Sequence, residues 1–202
     1  MSFQVFIAIA HTPNSQGASH AGITERMVSG PVSEALQRML QEEFDSEGSA
    51  YRGCSVEFLI EGGNFTKAKA VKAKRKGSCW LALQIHLNSY NATGSCVLYR
   101  TDATKGESWA LLMQKALTDV LNRGKHYRGI IPFPSDYRLT ESGSQYKLEF
   151  LEELLVGNEC QAIIVEVDSI RYGKWVLDNA DDVADAIYEG VLDIIDSALG
   201  LE

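Results

Sequence analysis

The chain has 202 residues, of which 45% are hydrophobic, so it can bury the core of one full domain and nothing in it requires a second. Its formal net charge of -8 at pH 7 argues against a nucleic-acid-binding protein, because such a protein normally presents a basic surface to phosphates. No apolar run approaches the length of a transmembrane helix, so we expect no membrane partner either.

Cysteine usage and the amino terminus bear on the compartment. The four cysteines lack the paired spacing of a metal site, and we interpret them as small buried residues in a reducing compartment: Cys54, Cys79, Cys96 and Cys160. The first ten residues lack the basic leader and long apolar segment of a signal peptide. We therefore expect the protein to be cytoplasmic on synthesis.

Strand-like and helix-like segments alternate along the first part of the chain. β-Branched and aromatic residues predict a strand over 3–10, and a loop rich in Pro, Asn, Ser and Gly follows it over 11–24. An apolar stripe at helical spacing then predicts a helix between Thr24 and Phe44, with Pro31 in its first turn.

The next predicted pair is a strand over 54–60 and a short helix over 64–76. This helix carries a run of basic side chains: Lys67, Lys69, Lys72, Lys74, Arg75 and Lys76. We interpret the run as a solvated face, and contact with an anionic polymer is the alternative.

The second half of the chain begins with a nearly continuous apolar run, which predicts a strand buried on both faces. The predicted elements from there are a strand at 79–86, a strand at 96–100, a helix at 106–122, an irregular crossing at 124–144, a helix at 145–156, a strand at 161–167 and a last helix at about 179–198, capped by Asp178 or Asn179. Within the irregular crossing, His126, Tyr127 and Tyr137 either line a groove or are incidental surface residues.

This alternation predicts an α/β fold, a single domain with a mostly parallel, twisted sheet of about five to six strands and helices on both faces. The carboxyl ends of parallel strands meet at one edge of such a sheet, where ligands bind. His11, His86 and Glu166 each lie at a predicted carboxyl end, and Glu25 ends the loop that leaves the first strand. Two imidazoles with carboxylates suit zinc, whereas the alternative for His86 is a core histidine satisfied by a backbone carbonyl.

Three segments carry motifs. The strand VFIAIA leads to His11, and a set of loop and helix-start residues follows: Gly17, Ala18, Gly22, Thr24 and Glu25. The segment QIHLN over 84–88 precedes Gly94 and a short strand, and the segment IIVE over 163–166 precedes a final amphipathic helix. In this order, across nearly the whole chain, they resemble the zinc-dependent N-acetylmuramoyl-L-alanine amidases of the amidase 3 type, found in bacterial cell-wall hydrolases and phage endolysins.

The resemblance implies that His11, Glu25 and His86 bind zinc and that Glu166 is the catalytic carboxylate. It implies hydrolysis of the amide between N-acetylmuramic acid and L-alanine in peptidoglycan. We expect a single catalytic domain over 1–202, and the sequence shows no separate wall-binding domain. The missing leader fits an endolysin that acts on the cell wall after release. The alternatives are a zinc hydrolase of the same fold that cuts another amide, such as a carboxypeptidase or an N-acyl amino acid deacylase, and an inactive wall-binding module.

The sequence also departs from this family near the implied ligands. Residues 10–13 read Ala-His-Thr-Pro where the family has glycines around the histidine, and residues 167–169 read Val-Asp-Ser where the family has Leu-Gly-Phe. The loops are therefore expected to differ in shape while the ligands persist. We expect His20 to be a solvent-exposed loop residue rather than a fourth ligand, and Asn88 to orient a ligand, bond the substrate or cap a loop.

Overall fold

The computed structural model describes residues 2–77, 79–92, 94–121, 129–133, 149–154 and 161–201. Within these ranges the elements are, in chain order, β1 (Gln4–Ile9), β2 (Ser19–His20), β3 (Ile23–Thr24), α1 (Glu25–Asp45), β4 (Ser55–Leu59), α2 (Asn64–Lys74), β5 (Trp80–Asn88), β6 (Cys96–Arg100), α3 (Gly106–Leu121), β7 (Gly129–Phe133), α4 (Glu149–Glu153), β8 (Ala162–Ser169), a 3-10 helix (Ile170–Tyr172), α5 (Gly173–Asp178) and α6 (Ala180–Leu199). None of the helices in the described ranges combines the length and the apolar character that a membrane crossing requires.

A sheet runs through the described part of the chain with six strands in the order β4-β1-β5-β8-β6-β7. Neighbouring strands are parallel except for β6 and β8, which pair antiparallel. The near-continuous apolar strand β5 lies inside the sheet between β1 and β8, as expected for a strand buried on both faces. The predicted mostly parallel α/β sheet is therefore confirmed.

Helices cover both faces of the sheet. Along β5, Leu81, Leu83 and Ile85 point into one hydrophobic core with residues of α1, α3 and α6. Trp80 and Ala82, which alternate with them, point into a second core with residues of α2 and α4. Because His86 is an even-numbered residue of the same strand, its side chain belongs to the second face.

Part of the segment predicted as an irregular crossing is a strand, so that prediction is wrong for residues 129–133. Ile130 and Ile131 pair in parallel register with Val97 and Leu98 of β6. Pro132 is tolerated because β7 is an edge strand, where a residue without an N–H can occur without loss of a hydrogen bond between strands. The candidate groove residues of that crossing, His126, Tyr127 and Tyr137, lie outside the described residues.

The first helix starts earlier than the position of Pro31 suggested. Thr24 is the N-cap, and its side-chain oxygen accepts a hydrogen bond from the backbone N–H of Met27 at 3.3 Å. Pro31 is consequently the seventh residue of α1, and its placement in the first turn is wrong. The carbonyl that loses its partner belongs to Met27, which is 46% exposed, so water can bond it.

The chain after β8 is more regular than predicted. Ser169 extends β8 two residues beyond the predicted end, and its hydroxyl donates to the carbonyls of Ser89 and Tyr90 at 3.0 and 3.1 Å. The 3-10 helix and α5 then precede α6. Asn179 is the N-cap residue of α6, but its side chain donates to the carbonyl of Trp175 at 2.7 Å and does not cap the helix.

The described cysteines are free thiols. Cys96 is fully buried, as predicted, whereas Cys54 and Cys79 are half-buried. Burial raises the pKa of the Cys54 thiol, which makes it a poor nucleophile. Cys160 lies outside the described residues.

Candidate metal centre

Three predicted site residues come together at the carboxyl edge of the sheet. His11 follows β1, Glu25 opens α1, and His86 lies near the end of β5, the strand that pairs with β1. One ligand atom from each of them lies within 4.8 Å of the others. Parallel pairing of β1 with β5 produces this convergence, because it brings the ends of both strands to the same edge.

The Glu25 carboxylate lies between the two imidazole rings. Its Oε2 is 2.8 Å from His11 Nε2, and its Oε1 is 2.7 Å from His86 Nδ1. Burial acts to raise the pKa of Glu25, but the two adjacent rings outweigh it and hold the pKa well below its usual range. The carboxylate is therefore ionised at neutral pH and available as a metal ligand.

Main-chain groups also fix the orientation of this carboxylate. The backbone N–H of Ala18 donates to Glu25 Oε2 at 3.1 Å, and that of Leu87 donates to Oε1 at 3.2 Å. Glu25 also sits in the first turn of α1, where the helix dipole favours a negative charge. The carboxylate is thus set in place before any ligand arrives.

A buried amide pair supports His86 from the other side. Its Nε2 lies 3.0 Å from the side-chain oxygen of Gln84, and Gln84 Nε2 donates to Asn64 Oδ1 at 2.8 Å. A proton on His86 Nε2 would be held by Gln84, leaving Nδ1 free to bind a metal. The sequence analysis missed this role of Gln84, although a lone polar residue in an apolar strand, two positions before a histidine, was the available signal.

Three groups hold the main chain at His11. Its carbonyl accepts hydrogen bonds from Lys67 Nζ and from Arg26 Nη1, each at 3.0 Å, and the preceding N–H of Ala10 donates to Ser29 Oγ at 3.0 Å. Lys67 is only 1% exposed, so the prediction that it belongs to a solvated face is wrong. Lys67 can be buried because the carbonyls at the end of β1 accept hydrogen bonds from its ammonium group. These hydrogen bonds replace those that water would form. Burial lowers the pKa of Lys67 to about 8, and the charge of Arg26 acts in the same direction.

The rest of the basic run fits the prediction more closely. Lys69, Lys74 and Lys76 are exposed, and Lys72 and Arg75 are half-buried. Their contact with an anionic polymer stays a prediction.

The arrangement fits a zinc ion on two structural grounds. His11 Nε2 is buried and forms no hydrogen bond to the described residues, although it lies 2.8 Å from a carboxylate oxygen. A cation beside this nitrogen and the carboxylate oxygen would satisfy both atoms. In addition, a Cβ at Gly17 would be 2.4 Å from His11 Nε2 and 2.5 Å from Glu25 Oε2, so the glycine leaves that space open. Two imidazole nitrogens and a carboxylate are donors that zinc prefers.

Glu166 lies on the strand next to His86. The two residues are register partners across β5 and β8, and Glu166 is 8% exposed. Register partners on parallel strands project to the same face, so the Glu166 side chain is on the face of the sheet that carries His86. The structure thus places Glu166 on the strand next to His86 and on the same face of the sheet.

His20 and Asn88 lie apart from the ligand cluster. The ring of His20 is half-buried, so the prediction of a solvent-exposed loop residue is wrong; it packs at a tilt of 55° against the ring of Tyr90, with 4.9 Å between centroids. Asn88 is 2% exposed, and its amide donates to Cys96 Sγ at 3.3 Å. This contact gives Asn88 a structural role in the sheet, which was not among the predicted roles.

A patch of exposed aromatic residues flanks the same sheet edge. Tyr90 and Tyr172 are 48% and 40% exposed. The guanidinium carbon of Arg171 lies 5.1 Å from the ring centroid of Tyr90 and 5.8 Å from that of Tyr172. The sequence analysis missed this patch, because the short helix that carries Arg171 and Tyr172 has no distinctive pattern.

Solved structures share this fold, whereas no family model and no curated protein matches the sequence. The N-acetylmuramoyl-L-alanine amidase from Clostridium difficile 630 superposes with a TM-score of 0.72 at 19% identity, over 97% of this chain and 98% of that one. The CwlD amidase from Clostridioides difficile, solved with the GerS lipoprotein, gives 0.71 at 14% identity, over 99% and 100%. The catalytic domain of the CD27L endolysin, which targets the same species, gives 0.62 at 20% identity, over 95% and 97%. At these identities the comparisons establish that the chain has the fold of these amidases.

Proposed function

We propose that the protein is a zinc-dependent N-acetylmuramoyl-L-alanine amidase that cuts the amide between N-acetylmuramic acid and L-alanine in peptidoglycan. The observation that carries the proposal is the convergence of His11, Glu25 and His86, with Glu166 on the neighbouring strand. Support also comes from the fold, which the chain shares with solved amidases, among them an N-acetylmuramoyl-L-alanine amidase.

In this proposal each residue has one role. His11, Glu25 and His86 hold the zinc ion, whose Lewis acidity makes water nucleophilic at neutral pH and polarises an amide carbonyl. Glu166 accepts the proton of the attacking water and then delivers it to the departing amine, acting first as general base and then as general acid. The amine nitrogen of L-alanine is the leaving group, and the lactyl carboxylate stays on the sugar.

We further propose an endolysin-type role, in which the protein is made in the cytoplasm and acts on the cell wall after release. The likeness to an endolysin catalytic domain supports this proposal. A wall-degrading assay on intact cells, with the protein applied from outside, tests it directly.

Metal removal is expected to abolish turnover. Purified protein should contain about one zinc ion per chain by elemental analysis, because the three side chains form a single set of ligands. Dialysis against a chelator should remove both zinc and activity, and added zinc should restore both. Full activity in zinc-free protein would contradict the proposed cofactor.

The products of peptidoglycan digestion identify the bond that is cut. Amino-terminal labelling of a digest is expected to reveal new L-alanine amino termini without new reducing sugar ends. New termini at other residues would indicate an amidase of different specificity, and new reducing ends would indicate a glycosidase. Binding to the wall without any product, in zinc-loaded protein, would indicate an inactive wall-binding module.

A further inference from the structure

Lys67 is a buried lysine whose ammonium group contacts the main chain of His11, a residue of the ligand cluster. Lys67 of α2 is among the largest fully buried side chains, and its described partners are main-chain carbonyls rather than carboxylates. Burying an ammonium group is costly unless hydrogen bonds replace its hydration. Lys67 therefore occupies a position with a high cost of desolvation. Lys69, two residues later on the same helix, is exposed and does not carry that cost.

The two carbonyls that Lys67 holds belong to Ile9 and His11, which bracket the end of β1. At this point the backbone changes from extended strand to the left-handed region, with φ of 62° at His11. A residue with a side chain is less stable in that conformation than in its ordinary regions, so surrounding contacts must stabilise it. Lys67 and Arg26 supply those contacts by donating to the same carbonyl.

The backbone angle at His11 decides where its ring points. With His11 in the left-handed conformation, Nε2 lies 2.8 Å from Glu25 Oε2, inside the ligand cluster. An extended conformation at the same residue would carry the ring to a different side of the chain. A group that fixes the carbonyl therefore also fixes the direction in which the side chain leaves the backbone.

We propose that Lys67 is a positioning residue for the metal site: its ammonium group clamps the carbonyls of Ile9 and His11 and so preorganises His11 as a ligand. The inference rests on the proposed function in taking the cluster to be a zinc site. It assigns Lys67 no contact with the substrate. Lys67 acts on the zinc ion only through His11, as a support that orients a metal ligand.

The test compares Lys67→Met with Lys69→Met in the full chain. Methionine keeps the length of lysine but removes its donors, and Lys69 offers an exposed control two residues away on the same helix. Zinc affinity is measured by competition with a chromophoric chelator, and the melting temperature of the metal-free protein is measured alongside. Lys67→Met should weaken zinc binding roughly 10- to 100-fold, the range found when a residue that orients a metal ligand is lost. Lys69→Met should leave the affinity unchanged.

A second variant keeps the inference testable if Lys67→Met fails to fold. Arg26→Met removes the other donor to the His11 carbonyl from a half-buried position, and we expect a smaller loss of zinc affinity in the same direction. Saturating zinc should restore the turnover of both variants, because neither residue takes part in the chemistry.

Each outcome separates this inference from the proposed function. A folded Lys67→Met with wild-type zinc affinity would overturn the inference while leaving the amidase proposal intact. An equal loss in Lys69→Met would overturn it too, since the effect would then be one of general charge. Wild-type protein that binds zinc but does not cut peptidoglycan would contradict the amidase proposal alone, and wild-type protein that binds no zinc would overturn both.

Discussion

Replacing Glu166 with glutamine is expected to lower kcat by roughly 10²- to 10⁴-fold, the usual contribution of a positioned general base. Glutamine keeps the size and one oxygen of the buried side chain but cannot accept a proton at neutral pH. The three proposed zinc ligands lie outside β8, so the metal content should not change. Turnover of a peptidoglycan fragment and zinc content, measured on the same preparation, test both halves of the expectation.

The same strand offers a matched control. Asp168 is two residues further along β8 and is also buried, and its oxygen accepts the backbone N–H of Ser169 at 2.7 Å. Asp168→Asn should retain most of the activity, because this carboxylate serves the local backbone. If Glu166→Gln lost its zinc, the residue would be a ligand rather than the base. If it kept full turnover, the base would have to be another group.

Adding a single methyl group at Gly17 is expected to destroy the metal site. The Cβ of alanine would lie 2.4 Å from His11 Nε2 and 2.5 Å from Glu25 Oε2, closer than van der Waals contact allows. Neither side chain can easily move away from the added methyl group. Hydrogen bonds hold both oxygens of Glu25 and the main-chain carbonyl of His11. We expect Gly17→Ala to weaken zinc binding by at least roughly 100-fold, and turnover to fall with it.

Gly22 supplies the control for backbone strain. It has φ of +81°, against +78° at Gly17, but nothing lies within 4 Å of the position where its Cβ would be. Both alanine variants carry the cost of a left-handed residue, roughly 1–2 kcal/mol of folding free energy, and only Gly17→Ala also intrudes on the ligands. Zinc titrations and urea unfolding of the two variants separate the effects. Equal zinc affinities in the two would mean that the space beside Gly17 is not part of the metal site.

The alternation of apolar strands and amphipathic helices was sufficient to predict the sheet. A run such as β5, apolar on both faces, has few stable places other than the interior of a parallel sheet, and parallel pairing brings strand ends to one edge. His11 and His86 could therefore be placed at the same rim before their contact was known. The resemblance to a zinc amidase family added the expected roles, which the structure leaves as proposals.

Pattern reasoning failed where long-range contacts override local preference. Lys67 belongs to a basic run, and nothing in its sequence neighbours indicates that it donates hydrogen bonds to two carbonyls at the end of β1. Pro31 favours a helix start, but Thr24 and Glu25 supply a better one six residues earlier. Strand β7 lies in a segment whose prolines and glycines favour an irregular crossing, although an edge strand tolerates a proline. The errors at Lys67 and β7 concern partners that are distant in the sequence, whereas the error at Pro31 concerns a stronger local helix start.

Anomalous diffraction at the zinc absorption edge, on crystals grown with an equimolar amount of zinc, tests the central claim most directly. The account predicts one strong peak per chain, bonded at about 2.0–2.2 Å to His11, Glu25 and His86. Zinc bound at other residues, such as His20, with that cluster left empty in the same crystals, would contradict it.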